Sequence, residues 1–465
     1  MSDSDAAIRD LLTGAFHAAV AAVSAERLIP GHLPPPGRGH TLVVGAGKAA
    51  AAMAANVEAS WPEDAPLSGL VITRHGHLLP SPTGGRSRRF DEHGSSPTER
   101  GDSAMSPVDG PGGEGSRHSR IEVVQAGHPL PDAAGLSAAA RLLERVRSAG
   151  PDDQVIALLS GGGSSLLSLP NPGLELADLG AVAGALLASG APIADINCVR
   201  KHLSATLGGR LAEACAAPVT VLTISDVSGD DPSVIASGPF APDPTTYADA
   251  LAVLERWQVK APARVADFLK AGMRGRHPDT PKPGGACFAR IEHQLLGNGR
   301  TALLGAAAYF RERGVTPVIL GDTFTGEARE VAHAFAALAR EVRLHGAPWR
   351  PPVALLSGGE TTVTVRGAGR GGRNAEFLLA LALDLDGLEG AHALAADTDG
   401  IDGVSESAGA ILEPDSLARS RALGLAARER LDDNDAHGFF SALGDTLVTG
   451  PTRTNANDFR AILMV

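Results

Sequence analysis

Short aliphatic runs, nearly continuous in Val, Ile and Leu, recur along this chain, and each stops abruptly in glycine, serine or aspartate. Residues 155–159 run into Ser160-Gly161-Gly162-Gly163-Ser164-Ser165, and 219–224 run into Ser225-Asp226-Val227-Ser228-Gly229-Asp230-Asp231. A strand that is apolar on both faces must be covered on both faces, and the helical segments between these runs supply that cover. The pattern predicts an α/β fold on a parallel sheet. At 465 residues the chain exceeds one ordinary core, so two domains are expected.

The first domain is expected over 1–245. An amphipathic helix over 5–28 precedes a strand at 41–44, which enters Gly45-Ala46-Gly47-Lys48 and an Ala-rich helix. Further strands are expected at 69–73, 121–125, 155–159 and 219–224, with helices over 133–148, 174–188 and 197–215. Half of residues 81–120 are Gly, Ser or Pro. Such a segment cannot bury enough surface to offset its ordering entropy and reads as a disordered insertion. A helical connector and linker follow over 246–285, then a second domain over 286–465, with strands at 289–296, 316–320, 353–357, 361–365, 391–396 and 445–448. Only Gly358-Gly359-Glu360 separates 353–357 from 361–365, which predicts a hairpin and hence a mixed sheet.

The formal charge of −12, without a basic stripe, excludes a nucleic-acid binder. Three widely spaced cysteines with no C-x-x-C pair suit a reducing compartment. Asp3, Asp5 and Asp10 replace the basic start of a signal peptide, and the longest apolar stretch, 179–194, is interrupted by Gly and Pro. The expected location is the cytoplasm, with no membrane partner.

Several polar clusters follow the strands. Gly45-Ala46-Gly47-Lys48-Ala49-Ala50 fits G-x-G-x-x-A, the dinucleotide fingerprint, in which Gly45 and Gly47 would let backbone approach an anion at a helix N-terminus. Against a nicotinamide cofactor, Thr73-Arg74 ends the next strand where an acidic residue would take the ribose, and Lys48 occupies the loop. A P-loop fits less well, since Ala49 stands where Ser or Thr would hold Mg²⁺. The plain alternative is a tight turn with Lys48 in solvent. In Ser160–Ser165, Gly161, Gly162 and Gly163 remove every Cβ that would block a phosphate or carboxylate, and Ser164 and Ser165 add hydroxyls. Asp226, Asp230 and Asp231 suit Mg²⁺ or a base beside a substrate hydroxyl, with helix capping as the alternative. Glu360, and Arg370-Gly371-Gly372-Arg373-Asn374 opening a helix, look like an anion clamp, because a guanidinium grips phosphate in bidentate fashion. Otherwise they form an exposed basic loop. Asp397-Thr398-Asp399-Gly400-Ile401-Asp402-Gly403 mimics an EF-hand start, but its glycine comes early and no helices flank it, leaving Mg²⁺, substrate or a simple turn. His128 sits in a proline-fixed turn, as a substrate contact or a structural histidine.

In chain order, G-A-G-K-A at 45–49, A-G-H-P-L-P-D at 126–132, L-L-S-G-G-G-S-S at 158–165, T-I-S-D-V-S-G-D at 223–230, L-S-G-G-E-T-T-V at 356–363, G-G-R-N-A-E at 371–376 and D-T-D-G-I-D-G at 397–403 resemble the glycerate 2-kinase family. Some of its members carry the older label hydroxypyruvate reductase. The resemblance covers nearly the whole chain except 81–120. It implies a Rossmann-like N-terminal domain, a smaller mixed-sheet α/β C-terminal domain of MOFRL type, and an active site in the cleft between them. It further implies ATP- and Mg²⁺-dependent phosphorylation of D-glycerate to 2-phosphoglycerate, with the family's catalytic lysine at Lys48 and its key arginine at Arg373. Ala375 departs from the Gln that often follows Gly-Gly-Arg-Asn in similar sequences.

Joined to the residue chemistry, the resemblance makes Lys48 and Arg373 the charge-neutralising pair and Asp226 the group that orients or deprotonates the attacking hydroxyl. Ser160–Ser165, with Gly45, Gly47, His128, Glu360, Arg370 and Asn374, would bind phosphate or substrate, and Asp397, Asp399 and Asp230 would hold the metal. Homodimerisation is left open. Two rivals stand beside this reading: an NAD(P)H-dependent hydroxypyruvate reductase, and a non-catalytic regulator that binds a nucleotide or sugar acid.

Overall fold

Hydrogen bonding sorts the aliphatic runs of the described residues into two six-stranded sheets. The computed structural model describes residues 3–77, 119–128 and 130–465, so all but the last two residues of the expected insertion lie outside the described residues. The first sheet contains β1 (Thr41–Ala46), β2 (Leu67–Arg74), β3 (Ile121–Ala126), β4 (Gln154–Ser160), β5 (Val219–Ile224) and β6 (Ile291–Gly297). Its order is β3-β2-β1-β4-β5-β6, and every neighbouring pair is parallel. Alternate residues of β1 face opposite cores. Leu42 and Val44 pack with the helix Ala133–Ser148, and Val43 packs with the helix Ala50–Ser60. This two-sided burial is the reason the runs carry no polar stripe.

From β1 the chain winds outward through β2 and β3, then returns to β4 and winds the other way. The order therefore reverses between β1 and β4, and a ligand crevice opens beyond the carboxyl ends of strands at such a switch point. The turn carrying Lys48 follows β1, and Ser160–Ser165 follows β4.

The second sheet contains β7 (Thr316–Glu327), β8 (Val353–Thr362), β9 (Ala391–Asp397), β10 (Gly409–Leu412), β11 (Thr446–Leu447) and β12 (Asp458–Met464). Its order is β11-β10-β9-β12-β8-β7; β7 and β8 are parallel and the other pairs antiparallel. Helices Ala328–His345 and Arg373–Leu385 cover one face, and Asp3–Ala22 and Gly299–Glu312 cover the other. The parallel-plus-mixed architecture is the expected one.

Four expectations are corrected. The hairpin at 358–360 is absent: β8 runs straight through it. Gly359, at φ 107°, instead accommodates a bulge in β7, and a Cβ there would lie 2.1 Å from the Phe324 carbonyl oxygen. The helix expected over 197–215 is two, Ile193–Leu203 and Arg210–Ala214, broken at Gly208 and Gly209, both at positive φ. Strand β6, expected in the second domain, is the mostly exposed edge of the first sheet. Conversely, the N-terminal helix packs on the second sheet. Gly14 and Gly305 permit that close docking, since Cβ atoms there would fall 1.9 Å from the Tyr309 hydroxyl and 2.6 Å from Ala22 Cβ.

Phe16 on that helix is fully buried and meets Phe459 of β12 edge-on at 5.9 Å. Phe16→Ala is expected to lower unfolding free energy by about 3–5 kcal/mol in urea titration. A loss under 1 kcal/mol would show that the helix is not part of this core.

Candidate functional site

Two glycine-rich turns are stitched together at the switch point. The Lys48 backbone N–H donates to the Gly161 carbonyl at 2.9 Å, and the Ala49 N–H to Ser160 Oγ at 3.0 Å. Gly47, at φ 143°, brings the turns into contact, since a Cβ would lie 2.1 Å from Ser160 Oγ. Its own N–H donates to the Ile72 carbonyl at 3.1 Å. Gly45 lies within β1, where a Cβ would fall 2.3 Å from the Leu158 carbonyl oxygen. These two glycines are thus required for packing, and the N–H groups of Gly47, Lys48 and Ala49 already have acceptors.

The Lys48 ammonium reaches across to the second sheet and donates to Asp399 Oδ2 at 2.6 Å. Asp399 follows the end of β9, and its N–H donates to Asp397 Oδ1 at 3.0 Å. Asp397 Oδ2 in turn accepts from Arg373 Nη2 at 2.8 Å. The amine and the guanidinium therefore stand on carboxylates two residues apart. Arg373 is held further by Asp458 Oδ1 at 2.6 Å and by the exposed Glu360 at 3.2 Å.

A buried scaffold fixes this arginine. Asp402 accepts from the backbone N–H groups of Asn374 at 3.1 Å and Ala375 at 2.9 Å, and so caps the helix that Arg373 begins. Asn374 is wholly buried and turns its amide to Asp458 at 2.8 Å, which places it behind the arginine rather than in the cleft. Arg460, also wholly buried, pairs with Asp458 and donates to the Gly358 carbonyl at 3.0 Å and Thr361 Oγ1 at 2.8 Å.

The charges interact strongly. Burial opposes the charged form of Lys48, but the carboxylates of Asp399 and Asp397 outweigh it and raise its pKa. Arg373 is likewise raised against its burial by Asp458, Asp397 and Glu360. Burial and the Asp399 charge push the Asp397 carboxyl well above its ordinary range. Asp226 is pushed up to about 6 by burial and by Glu360, with Lys48 pulling the other way. It accepts from Asn455 Nδ2 at 2.8 Å, and a Cβ on Gly161 would sit 1.7 Å from its Oδ2. Asp226 is therefore in contact with the glycine loop, close enough to feel Lys48.

Of the other candidates, His128 packs on Gly162, where a Cβ would lie 2.9 Å from its ring. Burial, with Lys48 and Arg74 nearby, lowers its pKa to about 4, so the ring is neutral, and its Nδ1 has no partner among the described residues. Ser164 Oγ is bonded to Ser237 Oγ at 2.7 Å, and Ser165 Oγ donates to the Gly162 carbonyl at 3.1 Å. Asp230 accepts from Asn298 at 2.7 Å and lines a small cavity with Asp226 and Asp322. Arg370 is exposed, with its backbone N–H on Asp435 at 3.1 Å. Of the expected two-arginine clamp, only Arg373 joins the cluster.

Sequence reasoning missed Arg460 and His77. His77 is buried, its Nδ1 lies 3.3 Å from the Lys48 carbonyl oxygen, and its Nε2 has no partner among the described residues. Its signal was available in the polar Thr73-Arg74-His75-Gly76-His77 closing a strand next to the switch point.

A lysine beside a glycine loop of a doubly wound sheet and an arginine beside a mixed sheet, joined through two linked carboxylates, define a two-domain α/β protein with a charged site between its sheets. Residues 11–270 match the family model described as a domain of unknown function (DUF4147), and residues 353–458 match the MOFRL family. The D-glycerate 2-kinase of Thermotoga maritima is 38% identical over 346 residues, 74% of this chain and 80% of that one. A protein of Agrobacterium vitis with the provisional name hydroxypyruvate reductase is 45% identical over 467 residues, 100% of this chain and 96% of that one. The crystal structure of a Thermotoga maritima glycerate kinase superposes with a TM-score of 0.80 at 34% identity, covering 99% of this chain and 100% of that one. The chain belongs to the glycerate 2-kinase family.

Arg460 balances a buried carboxylate, so Arg460→Met is expected to cost about 3–5 kcal/mol of stability by leaving Asp458 short of a partner. Denaturant unfolding measures it, and a stability equal to wild type would remove Arg460 from the scaffold.

Proposed function

We propose that this chain transfers the γ-phosphoryl group of ATP to D-glycerate, giving 2-phosphoglycerate, with Lys48 and Arg373 as the charge-neutralising pair. The observation that carries the reading is the meeting of these two side chains, from different sheets, on the linked carboxylates Asp399 and Asp397. Phosphoryl transfer needs little besides positioning and charge stabilisation, and both cations are preorganised by their partners. A bound triphosphate would compete for Lys48 and Arg373 and release their carboxylates.

Asp226 suits the role of base. Its pKa of about 6 lies close to working pH, where a carboxylate both stays ionised and binds a proton usefully. It accepts the proton of the glycerate hydroxyl; that oxygen bonds to the γ-phosphorus, the bond to the bridging oxygen breaks, and ADP leaves. Neutral His128 and His77 add hydrogen-bonding capacity near Lys48 without adding charge.

Mg²⁺ is bound through one or two carboxylates plus substrate phosphates, so a dedicated cage of protein ligands is not required. Among the described residues no group of three or more His, Cys, Asp or Glu is set to hold a metal ion, but the Asp397–Asp399 pair fits this smaller demand. The Asp397 carboxyl is held above its ordinary range by burial first and by the neighbouring Asp399 charge second. Asp397 and Asp399 would hold the ion, which when bound neutralises phosphate oxygens. Asp230, which lines a small cavity together with Asp226, would be a further ligand on the side of the base.

The reductase reading is favoured by the Agrobacterium vitis name. It loses its physical basis at the fingerprint turn, whose N–H groups are spent on Ile72, Gly161 and Ser160 instead of being free for a pyrophosphate. No helix among the described residues is long and apolar enough to cross a membrane, and a cytoplasmic location goes with the kinase reading.

Lys48→Ala and Arg373→Ala should each lower kcat by about 10³-fold in an assay of glycerate-dependent ADP release, with unchanged far-UV circular dichroism. Near-normal turnover in either variant would remove that residue from the mechanism. Because the base must be deprotonated, kcat/KM should fall as pH drops through about 6, and Asp226→Asn should abolish both rate and dependence. An acid limb that survives in Asp226→Asn would assign the titration elsewhere.

A further inference from the structure

Among the described residues, the groups that meet at Lys48 are charged or polar and suit phosphate more than a nucleotide base. An apolar surface lies beside them. Between the helices Leu176–Ala188 and Ile193–Leu203 is a cavity of about 130 Å³, lined by Leu179, Val182, Leu186 and Val199. That is roughly ten times the room one water molecule needs. Leu130 and Leu187 also line it yet remain 72% and 61% exposed, so large apolar surface stays open at its edge.

The cavity's polar lining is small and specific. Ser165 comes from the glycine–serine loop, and Arg200 comes from the second helix. Arg200 donates to Asn197 Oδ1 at 3.0 Å and has no ion pair among the described residues, although burial disfavours its charge. Asn197 Oδ1 also accepts from Ser237 Oγ at 3.1 Å, and Ser237 Oγ bonds to Ser164 Oγ at 2.7 Å. This relay ties the guanidinium to the loop that borders Lys48, since a Cβ on Gly162 would lie 3.6 Å from Lys48 Cγ. An apolar cavity, a guanidinium with no ion pair among the described residues, a glycine–serine loop and the Lys48 amine thus follow one another. A three-carbon hydroxy acid is polar along its whole length and has no use for such walls, whereas a purine base buries both faces against them.

Taking the kinase reading as given, we propose that the cavity between helices Leu176–Ala188 and Ile193–Leu203 seats the purine base of ATP, and that Arg200 binds the phosphates nearer the ribose. Gly180 lines the cavity, and a Cβ there meets nothing within 4 Å, so a larger side chain fills the space without displacing the chain.

The test is calorimetric titration of the full chain with ADP and, separately, with inorganic tripolyphosphate. Gly180→Phe should weaken ADP by about 10–100-fold, as expected when apolar pocket contacts are lost, while tripolyphosphate affinity stays within about twofold. Arg200→Gln should weaken both by about tenfold or more, the effect of removing a charge-assisted hydrogen bond. Unchanged ADP affinity in Gly180→Phe, or equal loss for ADP and tripolyphosphate, overturns the base site. If Gly180→Phe melts below the wild type, Arg200→Gln decides, and undiminished ADP affinity there overturns the proposal. A wild type that makes ADP from ATP and glycerate yet tolerates both variants sinks the base site alone. A wild type that binds no adenine nucleotide sinks the kinase reading with it.

Discussion

Two carboxylates hold this molecule's chemistry together. Asp397 and Asp399, separated by one residue at the end of β9, each take one cation, and those cations come from opposite sheets. Without them the part-buried Lys48 would have only the Asp226 carboxylate nearby to offset its charge, and Arg373 would keep only Asp458 and Glu360. The same pair joins the two halves of the chain electrostatically, so the geometry of the cleft and its charge balance are one arrangement. It is also unfinished by design, because two acidic groups so close share too much negative charge. The Asp397 carboxyl is raised by its burial first and by the Asp399 charge second, and a cation bound there would favour its ionised form.

Behind the pair lies a scaffold that substrate never needs to touch. Arg460 and Asp458 are fully buried on β12, and Asp402 and Asn374 sit beneath the start of the helix that presents Arg373. Burying ions is expensive, and it is tolerated where each member meets several partners. Arg460 has three such contacts and Asp458 accepts from both arginines. The guanidinium at the cleft is consequently aimed by groups on three separate elements, which limits its freedom before any ligand arrives.

The glycines divide into two kinds. Gly45 and Gly47 look like a dinucleotide signature but serve close packing, since their Cβ atoms would collide with β4 and with Ser160. Gly161 and Gly162 sit instead where the loop meets Asp226, His128 and Lys48. One residue type in one kind of turn thus has different causes a few ångströms apart, and only the neighbours reveal which applies.

The α/β class, the parallel sheet and the places where chemistry would gather could be read from the chain, because apolar strands and polar strand ends are local patterns. Lys48, Arg373, Asp226, Asp397 and Asp399 all stood out for that reason. Arg460 did not, since a charge in the last apolar segment looks like a frayed end until β12 is seen between β8 and β9. Likewise nothing local tells β6 which sheet to join, the N-terminal helix which core to cover, or Gly358-Gly359 to continue a strand rather than turn. Those choices depend on surfaces hundreds of residues away. The sequence by itself determined which residues carry charge and where strands end; only the tertiary structure decided which charges meet, because that is set by the docking of two sheets and not by the order of residues.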